Sequence, residues 1–302
     1  MASEDDARLR MMEDWARRAE ARFAKRRAAM RAHWAATSPA THFNVYDIAA
    51  WADLADRAGV PHIPLEKLCT WNVDDIVGAD APKCEDIETL NRARKRLREG
   101  KAVARWSHCA GAMAKFYMGA GGAAQGWSNE MIDTEFDDDR FYELLMDYPE
   151  PTFSLYRREW VDPLVVDEFP VEYRVFVFGD VVSAISNYYP QRDLPNTRQT
   201  LRHISTAFAC VAMMVRAQRL PLNLPPWALE GHDPDAAAAI LTASNCTIDF
   251  MARASGGLTM IDAGPAFGMG ADPCCFPFDG IPDGIALEDR SGRSARHRSA
   301  EE

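Results

Sequence analysis

Asp249 and Asp262 stand thirteen positions apart in Cys246-Thr-Ile-Asp249-Phe-Met-Ala-Arg-Ala-Ser255-Gly256-Gly257-Leu-Thr-Met-Ile-Asp262-Ala-Gly264-Pro. Thr247, Ile248, Phe250 and Met251 flank the first acid, and Leu258, Thr259, Met260 and Ile261 precede the second, so both sit in runs that read as strands. Ser255-Gly256-Gly257 between them is a hairpin signal, because glycine enters positive φ without steric cost. Folding that hairpin brings two carboxylates together, where like charges repel unless a cation or proton neutralises them. A hard divalent cation, which prefers carboxylate and phosphate oxygens, suits such a pair. The competing reading is a plain hairpin with two solvated acids.

Three further segments carry polar groups in suggestive places. Lys115 leads into Phe-Tyr-Met-Gly119-Ala-Gly121-Gly122-Ala-Ala-Gln-Gly126. An ammonium followed by backbone without Cβ atoms can approach phosphate oxygens closely, although a Gly/Ala loop also serves simple flexibility. Arg157-Arg158-Glu159-Trp160-Val161-Asp162 reads as a strand running out at Pro163. Its end can read a purine edge through the backbone while Trp160 or Val161 packs on the ring face, or it is a surface strand with an ion pair. In Val171–Phe178 alternation places Glu172, Arg174, Phe176 and Phe178 on one face and Tyr173, Val175 and Val177 on the other. Glu172 and Arg174 are therefore either a self-satisfied pair or part of a ligand site.

In their order these features resemble the ATP-grasp superfamily, with the best local likeness to its D-alanine–D-alanine ligase branch, over about residues 101–278. The resemblance implies an α+β fold whose two antiparallel-sheet lobes sandwich a nucleotide. It implies ATP and Mg²⁺ as cofactors, with Lys115, Gly121 and Gly122 over the phosphates. Glu159, Trp160 and Val161 fall at the adenine hinge, Glu172 at the ribose, and Asp249 and Asp262 at the metal. Arg105 stands in for a more N-terminal nucleotide-binding lysine, and Arg174 and Lys115 are the catalytic cations. The chain also departs from the pattern. The second metal acid is Asp262 rather than glutamate, Gly264 occupies the usual asparagine position, and Thr247 stands where an arginine is expected. Asn245 and Asp272 are candidates to replace the asparagine, and Arg192, Arg198 and Arg202 to supply phosphate contacts.

The implied activity is a ligase that activates a carboxylate as an acyl-phosphate for attack by an amine. Two other readings stay open: an enzyme using the same site on nucleic-acid ends, and a non-catalytic nucleotide-binding module. The first draws on the basic positions of the N-terminal helix, but a net charge of −11 weighs against nucleic acid as a partner.

Around these groups the chain is expected to divide into a basic amphipathic helix within residues 1–36, a helical substrate region at 37–100, a nucleotide-binding region at 101–278 and a disordered tail at 279–302. Helical patterns cover 45–58, 86–99, 136–147, 201–218 and 235–242. Strand patterns cover 102–106, 112–118, 153–161, 171–178 and 181–189. His62, in the irregular Val60–Leu65 connection, reads as structural. Seven cysteines without a CxxC pair, no apolar segment at the start and no run long enough for a membrane span place the chain, as an expectation, in the reducing cytoplasm.

Overall fold

The computed structural model describes residues 27–72, 102–107, 115–118, 152–167, 169–188, 196–224 and 231–265, with isolated positions between 17 and 25, between 88 and 99, and at 229. Gly121, Gly122, the 136–147 pattern, Arg192, Asp272 and the tail lie outside these residues.

The architecture is α+β, as the alternation of strand and helix patterns implies. Strands β1 (Glu66–Asn72), β2 (Ala102–Trp106), β3 (Lys115–Met118) and β4 (Thr152–Glu159) form an antiparallel sheet in the order β1-β4-β2-β3. A two-residue ribbon, β5 (Val165–Val166) with β6 (Phe169–Pro170), connects it onward. Strands β7 (Glu172–Phe178), β8 (Val181–Asn187), β9 (Cys246–Ala252) and β10 (Leu258–Pro265) form the second antiparallel sheet in the order β10-β9-β7-β8. β1 lies between the two helical patterns read in residues 37–100 and supplies an edge strand to the first sheet, an element the sequence reading did not include.

One face of the second sheet is apolar and builds the core. Tyr173, Val175, Ile248 and Phe250 stand in register on β7 and β9 and are at most 1% exposed. Helices α1 (Ile48–Ala58) and α2 (Arg198–Ala217) pack on each other; α2 contacts all four strands of this sheet and α1 contacts β10. The tyrosine hydroxyl of Tyr173 meets His203 Nδ1 of α2 at 3.2 Å, which fixes α2 to this face. A short helix α3 (Pro234–Thr242), capped by Asp233, leads into β9. The Val60–Leu65 connection docks on β10: Met260 N–H donates to the Pro61 carbonyl at 2.8 Å, and His62 forms a bridge with Met260.

The β9–β10 hairpin turns through Gly256 and Gly257 at φ of 95° and 79°. Nothing lies within 4 Å of a Cβ added at either glycine. Replacing Gly257 with alanine therefore costs backbone strain alone, about 1–2 kcal/mol, read as a lower urea midpoint with an unchanged slope.

Candidate nucleotide and metal site

The face of the second sheet turned away from α2 carries a polar row. Arg174 of β7 is in register with Asp249 of β9 and with Ser186 of β8, and Asp249 is in register with Asp262 of β10. The two acids are thus cross-strand neighbours on one face, the arrangement expected from the hairpin. Arg174 Nε and Nη2 donate to Asp249 Oδ1 and Oδ2 at 2.9 and 2.8 Å. The guanidinium carbon also lies 4.6 Å from the Tyr188 ring centroid, a cation–π contact.

A β-bulge makes the pairing of the acids possible. Met260 opposes Phe250, yet the next matched pair is Asp262 with Asp249, so Ile261 is the extra residue. In unbroken alternation Ile261 would oppose Asp249, and Asp262 would oppose Ile248 on the apolar core face. The bulge re-aims the carboxylate, a known use of such features beside functional sites.

The first sheet presents a second row. Lys67 of β1 pairs with Tyr156 of β4, Tyr156 with Arg105 of β2, and Arg105 with Lys115 of β3. Lys67 Nζ lies 5.9 Å from the Tyr156 ring centroid. Arg105, 1% exposed, crosses to the second sheet: its Nη1 and Nη2 donate to Asp262 Oδ2 and Oδ1 at 3.0 and 2.5 Å. The carboxylate also accepts the Ala263 N–H at 2.9 Å. From β4, two positions beyond Tyr156, Arg158 Nη1 donates to the Ile261 carbonyl at 2.5 Å. Lys67, Arg105 and Lys115 thus occupy linked register positions on one sheet, and Arg105 and Arg158 reach β10 of the other.

Asp47 caps α1 by accepting the Ala49 N–H at 2.9 Å and interacts electrostatically with Lys67 and Arg105. Burial pushes its carboxyl from its ordinary 3.8 up to about 6, against the pull of that N–H and those two cations. The folded chain therefore keeps a proton that the unfolded chain has lost, and this group's contribution to stability falls as pH rises between about 4 and 6. Asp47→Asn, still a good cap, should flatten that part of the stability curve, measured by urea unfolding from pH 4 to 7.

Other expected residues fall as follows. Glu172 lies two positions from Arg174 on the same strand face and is half-buried. Trp160 and Val161 begin the connection from the first sheet to the second; Trp160 Nε1 donates to Asp162 at 2.8 Å, and the Asp162 carbonyl accepts Ala254 N–H at 2.9 Å. Glu159 is exposed, pairs with Ala102 and alternates with Arg158, so it stands on the face away from the acids. Arg157, by contrast, is buried and bonds Glu66 and the Glu99 carbonyl.

Two expectations fail. Asn245 cannot replace the missing asparagine, because its side chain accepts Gly179 N–H and donates to the Ile240 and Ala243 carbonyls. Arg198 and Arg202 are exposed on α2, which lies against the opposite face of the sheet from Asp249. Lys67 was missed, and its signal was faint because β1 carries a register shift between Lys67 and Cys69 that breaks its alternation.

The solved structures similar to this chain include ATP-grasp proteins, all at low identity and TM-scores below 0.5. The chain resembles ATP-grasp ligases. Similar structures include Cdc123 from Schizosaccharomyces pombe, 14% identical, with 74% of this chain and 83% of that one covered at a TM-score of 0.39. A RimK domain ATP-grasp protein from Sphaerobacter thermophilus is 7% identical, with 73% and 58% covered at 0.38. The D-alanine–D-alanine ligase of Bacillus anthracis, solved with ATP, is 8% identical, with 74% and 54% covered at 0.35. No protein-family model and no curated relative matches the chain. No described helix is long and apolar enough to cross a membrane.

Proposed function

We propose that this chain is an ATP- and Mg²⁺-dependent ligase that phosphorylates a carboxylate to an acyl-phosphate, which an amine then attacks to form an amide. The observation that carries this reading is the pair of facing rows: Lys67, Arg105 and Lys115 at register positions of one sheet, Arg174, Asp249 and Asp262 on the other. Cations opposite paired carboxylates are what a polyphosphate and its metal ion require between them.

The donor set fits magnesium, which takes one or two carboxylates and completes its shell with water and phosphate oxygens. Among the described residues no cluster of three or more His, Cys, Asp or Glu side chains is poised for a metal, so Asp249 and Asp262 would hold it with the nucleotide's own oxygens. When bound, the ion neutralises charge on the phosphoryl oxygens. Arg174 and Arg105, now forked onto the acids, are the groups that would turn to phosphoryl oxygens and offset charge on the transferred group. Glu172 would bind the ribose, and Trp160 and Val161 would flank the adenine.

The guanidiniums thus act as resident counter-ions for the acids. Arg105→Met should raise the affinity of the chain for Mn²⁺ alone, on the order of 10-fold or more, because a unit charge within about 4 Å of Asp262 is removed. The same variant should bind nucleotide less tightly. A metal affinity that stays level would mean that Arg105 and the ion do not share Asp262.

One feature favours a nucleotide-binding module without turnover: both acids are already satisfied by arginines. Hydroxamate formation from any carboxylate with ATP, Mg²⁺ and hydroxylamine would eliminate that module. The proposal itself is tested by thermal unfolding with ATP, ADP, GTP and AMP, with and without Mg²⁺. A ligand selective for the folded state raises the midpoint by mass action, so a magnesium-dependent rise specific to ATP and ADP is expected, and no rise with any nucleotide contradicts it.

A further inference from the structure

The bulge at Ile261 decides which face of the second sheet receives Asp262, and the structure shows what holds it. A bulge residue leaves the ladder locally disrupted, and the half-buried Ile261 carbonyl takes a donor from outside the strand pair. Arg158 supplies one from the opposite sheet: Nη1 sits 2.5 Å from the Ile261 oxygen, and the side chain is 6% exposed. Two arginines of the first sheet therefore grip consecutive residues of β10, Arg105 by the Asp262 carboxylate and Arg158 by the Ile261 main chain.

The two grips differ in what a ligand can do to them. Arg105 holds a charge that a metal ion competes for. Arg158 holds a neutral main-chain carbonyl that no phosphate or cation replaces in the ladder. Without that hold, the bulge can slip by one residue, which would put Ile261 opposite Asp249 and drive Asp262 toward Ile248, a core residue 0% exposed. Burial of an unpaired carboxylate there resists a complete slip, so the expected failure is a loosened Asp262 and a metal pair out of geometry.

We propose that Arg158 is a positioning residue: by pinning the Ile261 bulge from across the gap it keeps Asp262 beside Asp249 as a metal ligand. This rests on the metal–nucleotide reading above and adds to it the group that sets the geometry of its acids. Its position immediately before Glu159 and the Trp160–Val161 connection also ties that geometry to the start of the link between the sheets.

The test uses the full chain, with Mn²⁺ and ADP as probes and three readouts: Mn²⁺ affinity by electron paramagnetic resonance in the presence of ADP, ADP affinity in EDTA, and the thermal midpoint. Arg158→Met should weaken Mn²⁺ binding by about 10–100-fold, the range for losing a group that orients a metal ligand. ADP binding in EDTA should change by less than about 3-fold, because that measurement contains no metal, and any larger joint loss would mark a general structural role and overturn the proposal. Arg158→Lys, which keeps a donor of similar reach, should recover most of the Mn²⁺ affinity and serves as the comparison with Arg158→Gln if the methionine variant does not fold. Folded Arg158 variants that bind Mn²⁺ like the wild-type chain overturn the proposal alone. A wild-type chain that binds no Mn²⁺ with ADP overturns the underlying reading as well.

Discussion

Asp249→Asn should slow magnesium-dependent hydroxamate formation on the order of 10²-fold or more, measured with whichever carboxylate supports it in the wild-type chain. Asparagine preserves the volume and one acceptor oxygen facing Arg174 but leaves the buried guanidinium without its counter-charge, so turnover is compared on variant chain shown to be folded. What disappears is a full negative charge 3% exposed in the middle of the polar row, in register with Asp262 on one side and Arg174 on the other. A preorganised charge is worth most where water is excluded. Near-normal turnover by a folded Asp249→Asn chain would remove Asp249 from the metal site. The result also separates a ligase from a bystander hairpin, because acids that serve only as ion-pair partners would leave the turnover of the folded chain unchanged.

The second large effect is on folding. Arg174→Ala leaves Asp249 buried with its bidentate partner removed, and breaking a buried ion pair from one side costs about 3–5 kcal/mol. That is a large part of the roughly 5–15 kcal/mol that a typical domain has, so the variant should unfold at a much lower urea concentration. The reverse comparison identifies the cause. Replacing both partners, Arg174→Met with Asp249→Leu, should recover most of the loss, since no charge is then left unpaired. If the double variant is as unstable as the single one, the loss comes from packing around Tyr188 and not from charge.

The parts of this site that were legible in the sequence are those encoded locally. The β7–β8 and β9–β10 hairpins announce themselves through alternation and through Gly179 and Gly256-Gly257, which take positive φ in the structure. The neighbourhood of Asp249 and Asp262 follows from the same hairpin, and Arg174 follows from alternation on β7. The contacts between the sheets were not legible. Arg105 and Asp262 lie 157 residues apart, and no local pattern marks two side chains that meet only because two sheets face each other. The bulge left no trace in the sequence: a two-residue loop at Ser255-Gly256 would set Asp249 opposite Asp262 without it, and only the observed pairing of Leu258 with Ala252 requires the extra residue. Lys67 was hidden for a related reason, since an irregularity in β1 breaks its period and left the strand looking like a connection.

Electrostatic balance explains why this arrangement is stable without ligand. Each acid is matched by one guanidinium, and Asp262 gains the Ala263 N–H besides. A buried pair of this kind contributes little net stability against well-packed apolar residues of the same volume. Its presence on the face opposite the core is therefore better explained by binding than by folding, and the ligand must bring both signs of charge to displace it.

A structure of the chain with Mg²⁺ and a non-hydrolysable ATP analogue tests this account most directly. The account predicts a metal ion about 2.0–2.1 Å from oxygens of both Asp249 and Asp262, with Arg105 and Arg174 swung onto phosphoryl oxygens. A bound nucleotide with both arginines still forked onto those carboxylates, or one seated away from β9 and β10, would contradict it.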